Sequence, residues 1–284
     1  MVEITMEMVK ELRQRTGAGI LDSKKTLQET AGDMERAAEL LRERGLARAA
    51  KKAGREAKEG IVEAKTVADG TLGALVEVNC ETDFVARTDA FKTLARDLAA
   101  QVVNANPPYE SPADMPNGAQ IQGAIAKLGE NIQVRRFVRF QAQDGGLIET
   151  YAHAGGRIAV MIEMSAQTSE RTQSPEFKTV AHDMAMQIAA ANPRYLRPED
   201  VPADVLEAER SVYRAQLAEE KKPAHIVERI VDGKLQKFYQ ENCLLNQLFI
   251  RDDKVKVSEH IKQASKQLGE QIQVKRFIRY ELGD

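Results

Sequence analysis

The chain repeats part of itself, and this repeat constrains the fold more than any other feature of its 284 residues. Residues 128–140 recur at 268–280, an offset of 140 positions, with only conservative differences. Residues 91–93 recur at 177–179, an offset of 86 positions. Because the two offsets differ by 54, the second copy of the unit must carry an insertion of about that length between its helices.

Each copy has the same order of predicted elements, which is strand, strand, helix, helix and strand. The strands alternate apolar and polar residues, and the helices space apolar residues three or four apart, as at Leu94, Leu98 and Val102. The pattern predicts an α+β fold with two core subdomains, residues 55–142 and 143–284. In each, a three-stranded antiparallel sheet should carry helices on one face.

The insertion predicts a helical hairpin at about residues 199–245. Its apolar residues keep helical spacing, stop at Pro223 and then resume. Since the other positions are mostly charged, we expect a coiled-coil pair that projects into solvent. Such a pair buries its seam against its mate or against another molecule, so self-association through the hairpin stays open.

A helical region precedes the first copy. Three sets of spaced apolar residues, separated by glycine-containing turns, predict a bundle of three short helices over residues 1–54. The sets are Ile4, Met8 and Leu12, then Ile20, Leu21 and Leu27, then Ala37, Leu40 and Leu41. We expect the third helix to end near Gly45 and residues 48–60 to form a solvated linker.

The charge balance gives little support to nucleic-acid binding. The net charge is −2, and without Trp the chain lacks a strong platform for stacking bases. The local cations Lys51, Lys52 and Arg55 could contact RNA, but Glu56 and Glu59 offset them. A ribosome- or RNA-associated accessory protein is therefore the alternative hypothesis, and we expect neither direct nucleic-acid binding nor membrane binding.

The sequence gives little support to a catalytic site or a metal site. The four histidines have no metal-ligand spacing, and His182 and Asp183 are neighbours on a predicted helix, where they point apart. Cys80 and Cys243 are predicted to be reduced thiols of a cytoplasmic protein, since the sequence has neither a signal-peptide pattern nor an apolar run of membrane length. We expect no enzymatic activity, no metal and no cofactor.

One connection differs between the two copies. After the strand ending near Asn79 comes an acidic turn with Asp83 and Phe84, and a helix should start near Thr88. The offset of 86 places Glu170 opposite Phe84, although a core position should stay apolar. Two interpretations remain open: Asp83 caps the next helix while Phe84 packs on its first turn, or Phe84 serves binding.

Two segments, residues 77–87 and 12–25, resemble the signature segments of the bacterial elongation factor Ts family. The resemblance covers nearly the whole chain, including the hairpin. It implies a UBA-like three-helix bundle followed by two core subdomains. It also implies guanine-nucleotide exchange on elongation factor Tu, which makes and breaks no covalent bond.

The resemblance also implies which residues face the partner. A segment that disturbs the Mg²⁺ site of Tu falls on Thr82, Asp83, Phe84 and Val85. Further contacts, with the GTPase domain and a second domain of Tu, fall on Arg13, Ile20, Leu21, Gly129 and His153. Of Ile20 and Leu21, we expect one to belong to the core of the bundle instead.

Overall fold

The N-terminal region forms the predicted bundle of three helices. A computed structural model describes residues 3–52, 54–143, 145–218 and 223–284. The helices are α1 (Met6–Thr16), α2 (Ile20–Glu29) and α3 (Met34–Lys52). Their shared core is small, and its buried members are Val9, Leu12, Leu27 and Ala37. Asp33 begins α3 as predicted, because its carboxylate accepts a hydrogen bond from the backbone of Arg36 at 3.0 Å.

The third helix is longer than the sequence suggested. It does not end near Gly45 but continues to Lys52, so the expected linker is partly helical. A glycine inside a helix costs only about 1 kcal/mol, which packing can offset. A Cβ at Gly45 would lie 3.2 Å from that of Ala126, and Ala49 is buried in the core of the first unit. The glycine thus permits a close approach of the bundle to that unit.

The two repeated units have the predicted elements in the predicted order. The first unit contains β1 (Glu59–Thr66), β2 (Leu72–Cys80), α4 (Asp83–Ala86), α5 (Asp89–Asn104), α6 (Gly118–Leu128) and β3 (Gln133–Gln141). The second contains β4 (Gly146–His153), β5 (Ile158–Ser165), α7 (Ser169–Thr172), α8 (Pro175–Ala191), α11 (Val257–Leu268) and β8 (Gln273–Glu281). Each sheet is antiparallel with the repeat's second strand in the centre, in the orders β1-β2-β3 and β4-β5-β8.

The helices cover one face of each sheet, and the opposite faces of the two sheets pack on each other. One apolar cluster lies between β1–β3 and α5–α6, and a second lies between β4, β5, β8 and α8, α11. A third fills the space between the sheets, with Val62, Leu75, Phe140, Ile148, Ala159, Met161 and Tyr280 as its buried members. The core therefore has four layers: helices, sheet, sheet, helices.

Each unit contains an equivalent buried ion pair, and the arginine of each pair also contacts the other unit. Glu77 and Glu163 are fully buried, and each accepts a 2.6 Å hydrogen bond, from Arg136 and Arg276 respectively. Both arginines also lie over an aromatic ring of the other unit. The rings are Tyr280 for Arg136, at 4.1 Å, and Phe140 for Arg276, at 4.0 Å. The two units therefore share equivalent side-chain contacts as well as the same topology.

The insertion forms the predicted helical hairpin, with α9 (Ala203–Leu217) and α10 (Ala224–Asn242) packed side by side. Leu217, Val231 and Leu235 are buried in its seam. Residues 219–222, which contain part of the expected break, lie outside the described residues. A small ribbon of β6 (Leu248–Phe249) and β7 (Asp252–Lys256) follows, which the sequence did not predict. Self-association through the hairpin stays a prediction.

Candidate partner-binding site

The segment after β2 is not an open turn but a single turn of helix, α4, followed directly by α5. The Thr82 hydroxyl caps α4 by accepting from the Val85 backbone at 3.4 Å, and the Thr88 hydroxyl caps α5 in the same way. Asp83 therefore caps neither helix, contrary to one of the two interpretations. Its carboxylate instead pairs with Arg87, one turn along, at 2.8 Å.

The short helix has an inner and an outer face. Ala86 is buried and Val85 packs against the core of the first unit. Phe84 points away from that core, and 80% of its surface is exposed. The proposed packing of Phe84 on the first turn of α5 is therefore wrong. A large apolar side chain this exposed on an ordered element gains nothing in the isolated protein.

A carboxylate from a distant part of the chain holds this segment in place. Glu130 accepts hydrogen bonds from the backbone of Glu81 at 3.0 Å and of Thr82 at 2.9 Å, and also from the Thr82 hydroxyl. In return, Glu81 accepts from the backbone of Asn131 at 2.7 Å. Sequence reasoning missed this clamp, although the repeated Gly-Glu pair, Gly129-Glu130 and Gly269-Glu270, could have indicated it.

The second unit builds the same connection with a different side chain. Thr168 caps α7, and its backbone and hydroxyl donate to Glu270 at 3.0 and 2.8 Å. These hydrogen bonds lower the pKa of the Glu270 carboxyl. Our prediction that the connections differ is wrong for the backbone. It is right for the side chain, because the exposed residue opposite Phe84 is Glu170.

Gly129 lies next to this clamp. It ends α6 with a left-handed backbone, at φ +83°, which a residue with a Cβ adopts only at a cost of about 1–2 kcal/mol. The ammonium group of Lys52 donates to its carbonyl oxygen. Gly129 is exposed, so it is available for contact, and it also directs the chain so that Glu130 reaches Thr82.

His153 lies at the exposed end of β4, and the turn that follows it contacts β1 of the first unit. The carbonyl of Gly156, in the following turn, accepts from the backbone of Val62 on β1 at 2.7 Å. Strand β1 begins at Glu59, which pairs with Cys80 at the end of β2. The Nδ1 atom of His153 lies 3.0 Å from the hydroxyl of Tyr151.

The expected contact residues of the bundle are all on its surface. Arg13 is exposed, as are 50% of Ile20 and 83% of Leu21, so the expectation that one of the last two is buried is wrong. The inner face of α2 is instead formed by the small residues Ser23 and Thr26 together with Leu27. An open groove of about 880 Å³ lies between the bundle and α6, and its lining includes Arg15, Arg42 and Ala126.

The basic segment that motivated the RNA hypothesis is engaged within the protein. Lys52 donates to Gly129, and Arg55 lies 3.5 Å from the carboxylate of Glu81. Two of its three cations thus serve the connection between bundle and first unit. This leaves little free charge for a salt-sensitive contact with phosphate.

The reactive side chains show structural roles. Cys80 and Cys243 are unpaired and buried, and burial raises the pKa of the two thiols to about 12 and about 11. His182 pairs with Glu149 and Asp183 with Arg251, so the two neighbours do point apart. Across the described residues, no three His, Cys, Asp or Glu side chains gather as metal ligands. No helix among them could cross a membrane.

Fold and site together define a class. The chain is an α+β protein of two repeated units, and it carries exposed apolar side chains on well-ordered helices. The sequence model described as elongation factor TS matches residues 81–284. The protein named elongation factor Ts of Symbiobacterium thermophilum is 49% identical over all of this chain and 93% of its own length. Those of Trichlorobacter lovleyi and Nostoc sp. are 46% and 42% identical, over 99% and 100% of this chain and 93% and 94% of their own lengths.

The chain therefore belongs to the elongation factor Ts family and is a translation elongation factor. This confirms the family resemblance and the α+β fold with its N-terminal helical region. The roles of individual residues are a separate matter, which the following proposal addresses.

Proposed function

We propose that this chain releases GDP from elongation factor Tu by inserting Phe84 beside the nucleotide's Mg²⁺ site. The observation that carries the proposal is the exposure of Phe84 on a capped, clamped helix, where the otherwise equivalent second unit has Glu170. Family membership supplies Tu as the partner. An exposed aromatic that the fold itself does not need is suited to burial in another protein.

The mechanism follows from the properties of the metal. Mg²⁺ requires near-ideal octahedral geometry, so a small displacement of its protein ligands weakens its binding. The metal neutralises phosphate charge, and its loss loosens GDP. A rigid aromatic side chain can cause this displacement because it brings a large apolar surface with few rotatable bonds. Thr82 caps the helix that carries Phe84, and Val85 packs that helix on the core of the first unit. Asp83, next to Phe84, belongs to the same proposed contact surface.

Other surfaces supply affinity. Ile20, Leu21 and Arg13 are all exposed on the bundle and offer contact to the GTPase domain of Tu. Gly129 and His153 extend the contact towards a second domain. No covalent bond is made or broken. Linkage requires that if this chain weakens GDP binding to Tu, GDP weakens the binding of this chain by the same factor.

The test is the release of fluorescent GDP from Tu, measured by stopped flow at increasing concentrations of this chain. The maximal rate should rise well above the spontaneous rate, and Phe84→Ala should lose most of the acceleration while keeping its unfolding temperature. Glu170→Ala is the matched control, and it should behave as the unmodified chain. If the chain does not accelerate release, the proposed function is wrong. If Phe84→Ala unfolds, the side chain has a structural role instead.

A further inference from the structure

Glu130 makes contacts that reach towards Phe84 without touching it. Its carboxylate accepts from two backbone N–H groups and one hydroxyl, all in the two residues before α4. Hydrogen bonds to an ionised carboxylate are about twice as strong as those between neutral groups. The segment before α4 is therefore fixed to the end of α6, although 48 residues separate Thr82 from Glu130.

The clamp is transmitted to α4 through Thr82. The Thr82 hydroxyl donates to Glu130 and also accepts from the backbone of Val85, and the Thr82 carbonyl accepts from the backbone of Ala86 at 3.2 Å. The side chain of Phe84 is 80% exposed, so the protein does not hold it by burial. What directs Phe84 is the orientation of α4, and this depends on the Thr82 cap.

We propose that Glu130 is a positioning residue for nucleotide exchange, because it pre-orients α4 so that Phe84 meets the partner in one direction. This inference rests on the proposed function. Ordering a flexible segment costs conformational entropy, and a helix already held in place does not incur that cost when Phe84 is inserted. Glu130 acts in the free protein, before any partner is present.

The second unit provides a matched comparison. Glu270 makes the same contacts with Thr168, but the helix it holds carries Glu170. A purely structural role predicts that losing either carboxylate has the same consequence. A positioning role predicts equal effects on stability and unequal effects on exchange, since only one of the two helices carries the aromatic side chain.

The first experiment needs no partner. Amide hydrogen exchange of the free chain is measured at Ala86 and Arg87, whose backbone N–H groups bond within the segment and not to Glu130. In Glu130→Ala their exchange should accelerate about ten-fold or more, while the cores of both units keep their protection. In Glu270→Ala these two amides should be unaffected. Unchanged exchange in Glu130→Ala would overturn the proposal.

The second experiment measures the release of fluorescent GDP from Tu. Glu130→Ala should lower the maximal rate about ten-fold, with little change in the half-saturating concentration, because the other contact surfaces are intact. Glu130→Gln keeps one acceptor oxygen and the side-chain length, so it should recover part of the rate. Glu270→Ala should match the unmodified chain. Equal loss in Glu130→Ala and Glu270→Ala would contradict a positioning role.

A double variant separates positioning from direct contact. If Glu130 acts through Phe84, adding Glu130→Ala to Phe84→Ala should slow release no further, whereas a direct contact of Glu130 with Tu would add its own loss. Additive losses would overturn the proposal. If the unmodified chain fails to accelerate release, the proposed function falls. The amide-exchange result then still decides whether Glu130 orients α4.

Discussion

In the first unit, α4 carries Phe84 with 80% of its surface exposed, and in the second, α7 carries Glu170 at the same place on the same backbone. Both helices begin with a threonine cap, and both caps bond to a glutamate that follows a left-handed glycine. The same local structure therefore occurs in both units, but only the first unit carries an exposed aromatic side chain on it. This comparison distinguishes the residues that the fold needs from the residue that is available for binding. The fold requires the cap and the clamp, and it does not require the aromatic.

The largest effect should come from core residues that the two units share. Phe91 and Phe177 are equivalent, and both are fully buried beneath their sheets. Truncation of either to alanine should lower the free energy of unfolding by about 3–5 kcal/mol, because each leaves a large cavity. Urea unfolding of both variants measures this. Very unequal losses would show that the units are not equivalent scaffolds.

The next effect concerns the bundle, which packs on the first unit. Ile20→Ala and Leu21→Ala should each raise the half-saturating concentration in GDP release roughly five- to thirty-fold, the range for side chains that contribute 1–2 kcal/mol to an interface. The maximal rate and the unfolding temperature should be nearly unchanged, since both side chains are exposed. A lower maximal rate would break the division between affinity from the bundle and exchange from α4.

A third effect depends on pH and on Cys80, whose counterpart in the second unit is Ala166. Burial raises the pKa of this thiol from 9.0 to about 12. The native state thus holds the proton where the unfolded state releases it, and stability should fall by about 1.4 kcal/mol per pH unit between pH 9 and 12. Below pH 9 the contribution is fully present. In Cys80→Ala, urea unfolding should show a shallower alkaline decline, and an identical slope would contradict this.

The smallest effect concerns the ion pair on α4. Asp83 and Arg87 are both solvent-exposed, and the second unit has Ser169 and Gln173 at these positions. Arg87→Ala should lower the free energy of unfolding by only about 0.3–0.5 kcal/mol, and 1 M salt should remove the difference. A double-mutant cycle with Asp83→Ala isolates the pair from other effects of truncation. A loss above 1 kcal/mol would mean that the pair helps to hold α4 in place.

The repeat made most of the fold predictable. Two offsets in one sequence indicated two units and an insertion, and the apolar periodicity gave the helices and strands of each unit in the right order. The hairpin followed from the same periodicity. What periodicity could not supply was the packing of one sheet on the other, because a strand buried on both faces, such as β2, no longer alternates.

The missed features depend on contacts between distant residues. The apolar spacing predicts a helix end near Gly45, although the neighbouring Ala126 makes a glycine favourable inside α3. The same spacing predicts that Ile20 or Leu21 belongs to the core, but Ser23, Thr26 and Leu27 form the buried face of α2. The Glu130 clamp joins segments far apart in sequence. At the site, the repeat alone indicated that Phe84 was not required by the fold.

Phe84 is the side chain that we expect to give the first unit its proposed role in exchange and that the second unit lacks. The most direct test of this role is the maximal rate of fluorescent GDP release from Tu with Phe84→Glu, which gives the first unit the residue of the second. Unfolding temperature is measured in parallel. We expect a loss of at least about thirty-fold in rate, as for an interface side chain that contributes 2 kcal/mol or more, with an unchanged unfolding temperature. An unchanged rate in a fully folded variant would contradict this role.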